Sequence, residues 1–224
     1  MTVCSFLGHN EVYDKQMAQR AQEAVLALAE QEEGVQFLFP AHQQSPFHLA
    51  CWEGIQKAKN KFHEKKFLVH LIAKEGEKDA VEAQIAKRNL PIDRVVAPVP
   101  DDPPGTKPNV PLLIRKRARW IIGQSDYIIC YIYEEFYDFK AQLYQYAQKS
   151  NAQMIQLAEE KTRRRIADEV KKLPQQERLT LEQRRLGKTY KEISQLTGLN
   201  YHMTRQIAHS ADWKIQQEIS KNPA

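Results

Sequence analysis

The sequence predicts an α/β fold, a Rossmann-like doubly wound sheet of mostly parallel strands, followed by a small all-α helix-turn-helix domain. Two observations predict this division. Strand-like runs alternate with helix-period runs through residues 1–158, and the strand signal then stops. The 224 residues, 42% of them apolar and 27% charged, suffice for one large domain or two small ones, and this composition excludes a disordered chain.

Short runs of β-branched and aromatic residues mark the strands of the predicted sheet. They fall at residues 3–7, 35–39, 67–73, 94–99, 127–133 and 153–157. Between them the apolar positions repeat with the period of a helix, at residues 13–33, 45–60, 77–89, 110–124 and 139–149. This alternation is typical of parallel strands joined by right-handed crossovers. The segment 97–108, the richest in Pro and Gly, is predicted to be a loop.

The charge distribution divides the chain at the same place. Residues 160–224 carry 14 Lys and Arg against 8 Asp and Glu, whereas the residues before them carry 19 against 20. We therefore expect a nearly neutral domain at 1–158, a charged linker helix at 159–172 and a basic domain at 173–224. Concentrated positive charge is typical of proteins that contact nucleic acid, although a solvated helical tail would have the same composition.

The cysteines and the first residues of the chain indicate a cytoplasmic location. Cys4, Cys51 and Cys130 form no CxxC pair and lie among apolar neighbours, as buried thiols do. The sequence begins without the basic and apolar segments of a signal peptide, and no apolar run is long enough for a membrane span. The seven histidines lack metal-ligand spacing, so neither a metal site nor a cofactor is predicted.

The C-terminal domain carries the most specific pattern. After a first helix, Thr189 and Glu192 form the capping box of a second helix. Gly198 is placed for a tight turn, and Asn200 can cap a final helix over residues 201–220. Helix, three-residue turn and helix is the spacing of a helix-turn-helix.

Residues 173–215 resemble region 4 of bacterial sigma factors and related helix-turn-helix proteins, in the elements Leu-Pro, Glu-Arg, Gly, Thr-Tyr-x-Glu-Ile and Leu-x-Gly-Leu. The resemblance implies that the final helix enters the major groove of duplex DNA, with Arg205 as the best candidate for a guanine contact. The candidate DNA-binding residues are Lys188, Thr189, Tyr190, Lys191, Asn200, Tyr201, His202, Thr204 and Arg205. A helical hairpin used for dimerisation or for docking on the sheet is the alternative.

A predicted strand at the start of the chain runs into Gly8-His9-Asn10, where nucleotide-binding α/β domains place a phosphate or sugar. Together with the segment 117–131, this start resembles the SLOG superfamily, in particular its YpsA-like branch, over residues 1–158. The resemblance implies a Rossmann-like domain that binds a nucleotide-derived ligand. The candidate ligand-binding residues are Gly8, His9, Asn10, Ser45, His48, Arg117, Trp120, Asp126 and Glu134.

The sequence departs from that branch at its phosphate-binding positions. The branch has a glycine-rich loop after the second strand, whereas residues 41–48 contain no glycine and His48 stands where the branch has an aspartate. Asn10 also replaces an arginine of the first motif. Without the backbone amides of a glycine loop, anion binding should be weak. We therefore expect a site that is vestigial or remodelled for another ligand.

The leading hypothesis is a DNA-binding regulatory or accessory protein whose first domain senses a nucleotide or ADP-ribose-like molecule or mediates oligomerisation. A homodimer is expected, because one small module rarely provides enough specific affinity, and no membrane partner is expected. One alternative is a nucleotide-processing enzyme of the N-glycosyl hydrolase type, with Asp126 or Glu134 as its catalytic acid or nucleophile. The other is a protein-interaction scaffold with a vestigial nucleotide pocket.

Overall fold

A sheet of six strands forms the centre of the computed structural model, which describes residues 1–41, 45–88, 91–98, 110–136 and 138–221. The strands are β1 (Thr2–Gly8), β2 (Gly34–Pro40), β3 (Lys66–Ile72), β4 (Arg94–Val96), β5 (Tyr127–Tyr131) and β6 (Gln153–Gln156). All neighbouring pairs are parallel, and the strand order is β4-β3-β2-β1-β5-β6. The predicted α/β class and the parallel sheet are confirmed.

Helices connect the strands and make up the C-terminal segment. The connecting helices are α1 (Met17–Gln31), α2 (Pro46–Lys61), α3 (Lys78–Arg88), α4 (Val110–Gln124) and α5 (Phe139–Ala147), and a short 3-10 helix at Glu75–Glu77 precedes α3. The C-terminal helices are α6 (Glu160–Lys172), α7 (Gln175–Arg185), α8 (Tyr190–Thr197) and α9 (Tyr201–Lys221). The predicted loop 97–108 lies, from residue 99 onward, outside the described residues.

The order of the strands creates a switch point between β1 and β5. From β1 the chain passes through β2 and β3 to β4 at one edge, and it then returns to pair β5 with the other side of β1. With right-handed crossovers, α1 to α3 cover one face of the sheet and α4 and α5 cover the other. Accordingly, Cys4 and Phe6 pack with residues of α1 and α2, whereas Leu7 and Cys130 pack with residues of α4 and α5. Open α/β sheets bind ligands at the carboxyl edge beside such a point.

Strand β5 is two residues shorter than the predicted strand 127–133. The amide of Tyr133 donates to Nε2 of His9 at 2.9 Å, and the amide of Ile132 donates to Oε1 of Gln156 at 3.4 Å. Because these amides bond to side chains and not to a neighbouring strand, the backbone leaves the sheet after Tyr131. The chain beyond β5 then runs along the carboxyl edge.

The C-terminal helices rest on this carboxyl edge and share its apolar core. The buried side chains that they contribute belong to the same cluster as Tyr133 and Phe136; they are Ile166, Val170, Leu181, Ala211, Ile215 and Ile219. The helical segment begins just after β6, close to the boundary predicted from the charge distribution. Its position is therefore fixed by apolar packing against the sheet as well as by its own turns.

Substitution of Gly8 tests how closely α2 approaches β1. A Cβ atom at Gly8 would lie 2.1 Å from Cδ1 of Phe47, whose side chain is only 1% exposed. We expect Gly8→Ala to lower the free energy of unfolding by about 1–3 kcal/mol, because the ring must shift within a packed core. Urea denaturation measures the change.

Gly123→Ala is the matched control. Gly123 lies on α4, and an added Cβ there meets no atom within 4 Å. This variant should be stabilised by roughly 0.5–1 kcal/mol, because alanine favours a helix interior. If Gly8→Ala proved as stable as Gly123→Ala, the packing of Phe47 against β1 would be contradicted.

Candidate functional site

The crevice at the switch point is filled by aromatic side chains. Tyr13, Tyr131, Tyr133 and Phe136 are each fully buried. The ring centroids of Tyr13 and Phe136 lie 4.9 Å apart, and those of Tyr131 and Tyr133 lie 5.4 Å apart. Phe47 packs on Gly8, so the described residues leave no open space for a phosphate at the end of β1.

His9 serves as a buried connection between β1, the chain after β5 and the start of α5. Its amide donates to the carbonyl of Tyr131 at 3.0 Å, and its Nε2 accepts from the amide of Tyr133. Because Nε2 accepts, the ring proton lies on Nδ1, which is 3.4 Å from Oδ2 of Asp138. The neighbouring Asn10 is exposed. Both residues were predicted to bind a ligand, but the side chain of His9 instead contacts other groups of the protein.

The hydroxyl of Tyr133 joins the sheet to α6. It donates to Oδ2 of the buried Asp14 at 3.1 Å and accepts from the amide of Glu159 at 3.2 Å. Arg20 completes the network, with Nη2 2.6 Å from Oδ1 of Asp14 and Nη1 2.5 Å from Oε1 of Glu159. Burial raises the pKa of Tyr133 to about 12, so the hydroxyl keeps its proton at physiological pH.

Two glutamates after β5 also contact the C-terminal helices α6 and α7. Arg163 of α6 lies 3.6 Å from Oε1 of Glu134 and 3.9 Å from Oε1 of Glu135. Nε of Arg185, on α7, donates to the carbonyl of Glu135 at 2.9 Å, and its Nη2 donates to the same oxygen. Burial raises the pKa of Glu134, and Arg163 opposes that shift. Glu134 therefore has a structural partner where the sequence predicted a ligand.

Two other predicted residues lie away from the carboxyl edge. Asp126 precedes β5 at the amino edge, where its Oδ2 accepts from the amide of Val3 at 2.8 Å. Trp120 packs beside Leu38 on the α4 face of the sheet. Asp126 and Glu134, the two predicted catalytic residues, stand at opposite ends of β5 and do not form a common site.

Ser45, His48 and Arg117 remain near the carboxyl end of the sheet. Ser45 caps α2, and its Oγ lies 2.6 Å from Nδ1 of His48. Burial and the nearby Lys140 lower the pKa of His48 to about 3, so its ring carries no charge at physiological pH. Arg117 lines a cavity on the opposite face together with Lys140, which the sequence reasoning missed. The sequence signal that could have identified Lys140 is its place in the first turn of the predicted helix 139–149, where positive charge is unfavourable.

Helices α8 and α9, the unit predicted to be a helix-turn-helix, are joined by the predicted three-residue turn at residues 198–200. Oγ1 of Thr189 accepts from the amide of Glu192 at 3.2 Å, and Oε2 of Glu192 accepts from the amide of Thr189 at 2.7 Å. Gly198 adopts the left-handed conformation with φ of 70°, and Oδ1 of Asn200 then accepts from the amide of Met203 at 2.8 Å. The capping box, the glycine turn and the asparagine cap are all confirmed.

Three of the predicted DNA-binding residues have structural roles. Thr204 is fully buried, and its hydroxyl donates to the carbonyl of Asn200 at 3.0 Å, so the expectation that it faces DNA is corrected. Thr189 and Asn200 use their side chains as caps. The other predicted residues remain accessible: Lys191, Tyr201, His202 and Arg205 are exposed, and Lys188 and Tyr190 are partly exposed.

In the described structure, Lys188, Lys191 and Arg205 of this surface form no ion pair, in contrast to most other cations of the segment. Paired with Asp or Glu are Arg163, Arg164, Lys171, Lys172, Arg178, Lys214 and Lys221. Within the described residues, Lys188, Lys191 and Arg205 form no ion pair, and neither do Lys161 and Arg165 of α6. The cationic surface left uncompensated therefore coincides in large part with the helix-turn-helix.

The first half of α9 presents a shallow groove lined by polar side chains. His202, Arg205, Gln206 and His209 line it, and their spacing places them on one face of the helix. Gln206 and His209 were missed in the sequence because the motif assigns only the start of the helix. Burial lowers the pKa of His209, and the charges of Arg205 and Arg184 lower it further.

Comparison with protein-family models and with curated protein sequences finds no match for this chain. The likenesses to the SLOG superfamily and to sigma region 4 rest on the residues quoted for them. Among the described residues, no helix combines the length and apolar character of a membrane span. No described cluster of three or more His, Cys, Asp or Glu side chains could hold a metal ion.

Asp212 of α9 provides a pH-sensitive contact near the sheet edge. It lines a surface pocket together with Asp138 and Trp213, and its Oδ1 is buried without a hydrogen-bond partner in the described structure. Burial and the charge of Asp138 raise the pKa of Asp212 to about 7, against the opposing influence of Arg185 and Arg184. The folded protein therefore retains a proton on Asp212 that the unfolded chain loses above its ordinary carboxyl pKa.

Asp212→Asn should stabilise the protein at neutral to alkaline pH. The folded-state pKa lies above the unfolded one, so ionisation of Asp212 lowers stability progressively between about pH 4 and pH 7. Asparagine cannot ionise, and we expect a gain on the order of 1–2 kcal/mol at about pH 8 that disappears towards about pH 4. Chemical denaturation across this range measures it, with Glu218→Gln, an exposed site on α9, as the control. A loss of stability at about pH 8 would contradict the assignment.

Proposed function

We propose that this protein binds duplex DNA through its helix-turn-helix, with the first half of α9 in the major groove. The observation that carries the proposal is the surface of the two helices. It exposes Tyr201, His202 and Arg205 on α9 and flanks them with Lys188 and Lys191, whose charges have no carboxylate partner among the described residues. Unpaired cations on such a motif match the requirements for phosphate and base contacts.

Each side chain has a distinct role in this proposal. Lys188 and Lys191 lie at the start of α8, where a helix-turn-helix contacts the phosphate backbone. Arg205, one turn into α9, is positioned for bidentate hydrogen bonds to a guanine. Arg184 lies over the Tyr190 ring at 4.2 Å from its centroid, and this stacking holds an aromatic surface between the two helices.

The small number of unpaired cations favours a dimer with two half-sites. Three phosphate or base contacts per chain release few counterions, so one module would bind only weakly at physiological salt. A homodimer would place two copies of α9 in successive turns of the major groove. We propose a regulatory or accessory role of this kind, with the sheet domain as the part that senses a small ligand or contacts the partner subunit.

The decisive test is binding to a random-sequence duplex, followed by fluorescence anisotropy over a range of salt concentrations. The variant Lys188→Ala with Arg205→Ala should weaken binding by more than about tenfold and reduce the slope of log affinity against log salt by roughly 2. Selection of preferred sequences should then show that Arg205→Ala alone relaxes the preference at one base pair, at a cost of about 1–3 kcal/mol.

The matched control is Lys161→Ala with Arg165→Ala. It removes one lysine and one arginine that likewise form no ion pair with another described residue, but from α6 and not from the helix-turn-helix. We expect it to retain affinity within about threefold, because distant surface charge contributes only weakly. Equal losses in the two double variants, or no binding to any duplex at low salt, would overturn the proposal.

A further inference from the structure

A small cavity lies on the α4 and α5 face of the sheet, below the carboxyl end of β1. Its volume is about 40 Å³, and its walls come from β1, the end of β2, β5, α4 and α5. Most of the lining is apolar, as expected inside a three-layer fold. The exceptions are Ser5, Arg117 and Lys140.

Arg117 projects from α4 into this apolar setting, where part of its guanidinium group has no hydrogen-bond partner among the described residues. Its side chain is 8% exposed, and Nη1 is buried with no hydrogen-bond acceptor in the described structure. Burial lowers the pKa of Arg117, and Glu77 opposes that shift. Buried guanidinium groups are normally paired with carboxylates or other acceptors, because an unsatisfied charge in the interior is costly.

Lys140 brings a second cation to the same cavity. It lies in the first turn of α5, and within the described residues its ammonium group makes no ion pair or hydrogen bond. Burial lowers the pKa of Lys140 to about 8, despite the acidic side chains of Asp138 and Glu11 nearby. The amides at the start of α5 add a further positive potential, which favours an anion over a lysine at this position.

The carboxylates that act on these two cations are engaged elsewhere. Asp138 accepts from the amide of Ala141 at 2.8 Å and faces His9, and Glu11 accepts from the hydroxyl of Tyr13 at 3.2 Å. Glu77 pairs with Lys74 at 2.8 Å. Arg117 and Lys140 thus line one largely apolar cavity, and neither forms an ion pair with another described residue.

We propose that this cavity binds a phosphate group, held between Arg117 and Lys140. The two negative charges of a phosphate dianion would balance the two positive charges of Arg117 and Lys140. Its oxygens would accept hydrogen bonds from Nη1 of Arg117 and from the lysine ammonium group. The phosphate can be inorganic phosphate or the phosphoryl group of a small metabolite such as a sugar phosphate. This site is built from side chains and does not depend on the glycine loop that the sequence lacks, nor on DNA binding.

The test compares the thermal stability of the full chain in phosphate and in chloride at equal ionic strength. Saturating inorganic phosphate should raise Tm of the unmodified protein by roughly 5 °C or more. Lys140→Met should leave Tm within about 2 °C of the unmodified protein in phosphate-free buffer, because Lys140 is only partly buried and forms no ion pair in the described structure. It should abolish the phosphate-specific rise. Lys149→Met, at an exposed position beyond the end of α5, should leave both values unchanged.

Calorimetric titrations with inorganic phosphate and ribose 5-phosphate identify the source of the phosphate group. If ribose 5-phosphate binds more tightly than inorganic phosphate and Lys140→Met abolishes this binding, the ligand is the phosphoryl group of a metabolite. If ribose 5-phosphate binds equally or more weakly than inorganic phosphate, the ligand is free phosphate. Arg117→Lys, which keeps the charge but not the planar donor group, should weaken either ligand at least tenfold. The absence of phosphate-specific stabilisation, or its persistence in Lys140→Met, would overturn the proposal.

Discussion

The hydroxyl of Tyr133 is the contact on which the relation between the sheet and the helical segment depends. It donates to the buried Asp14 and accepts from the amide of Glu159, immediately before α6. Arg20 lies against the carboxylates of both Asp14 and Glu159, so that a buried charge, a phenol and a helix start form one network. Loss of the Tyr133 hydroxyl would leave the buried carboxylate of Asp14 with one hydrogen-bond donor fewer, which makes this contact costly to break. This network fixes the start of α6, and the apolar side chains Ala211, Ile215 and Ile219 then place α9 against the same core.

Because the C-terminal helices pack on the carboxyl edge of the sheet, the candidate sites for DNA and for phosphate lie outside the crevice at that edge. At the switch point, where an open α/β sheet would bind a ligand, His9, Glu134 and Glu135 contact other parts of the chain and aromatic rings fill the crevice. Among the described residues, cations without an ion pair lie elsewhere: on the helix-turn-helix, on α6 and in the cavity beneath β1. The first turn of α5 lies between these two regions, since Lys140 lines the cavity while Asp138 lines the surface pocket with Asp212 of α9.

The sequence predicted those features that local physics determines. The alternation of strand-like and helix-like apolar patterns predicted the parallel sheet. Thr189, Gly198 and Asn200 predicted the turn and caps of the helix-turn-helix, because each of these residues acts on backbone groups only a few residues away. The sequence did not predict features that depend on contacts between residues far apart in the chain. Thr204 is buried by packing between helices, and Lys140 becomes notable only when α4 and α5 bring it beside Arg117 across one cavity.

The measurement that bears most directly on DNA binding is a map of backbone amide chemical shifts as a duplex is added. Binding through the helix-turn-helix predicts that the largest changes fall between Lys188 and Gln206, with little change along β2 and β3. Changes concentrated on the sheet, or no change at low salt, would contradict a role for α9 as the DNA-reading helix.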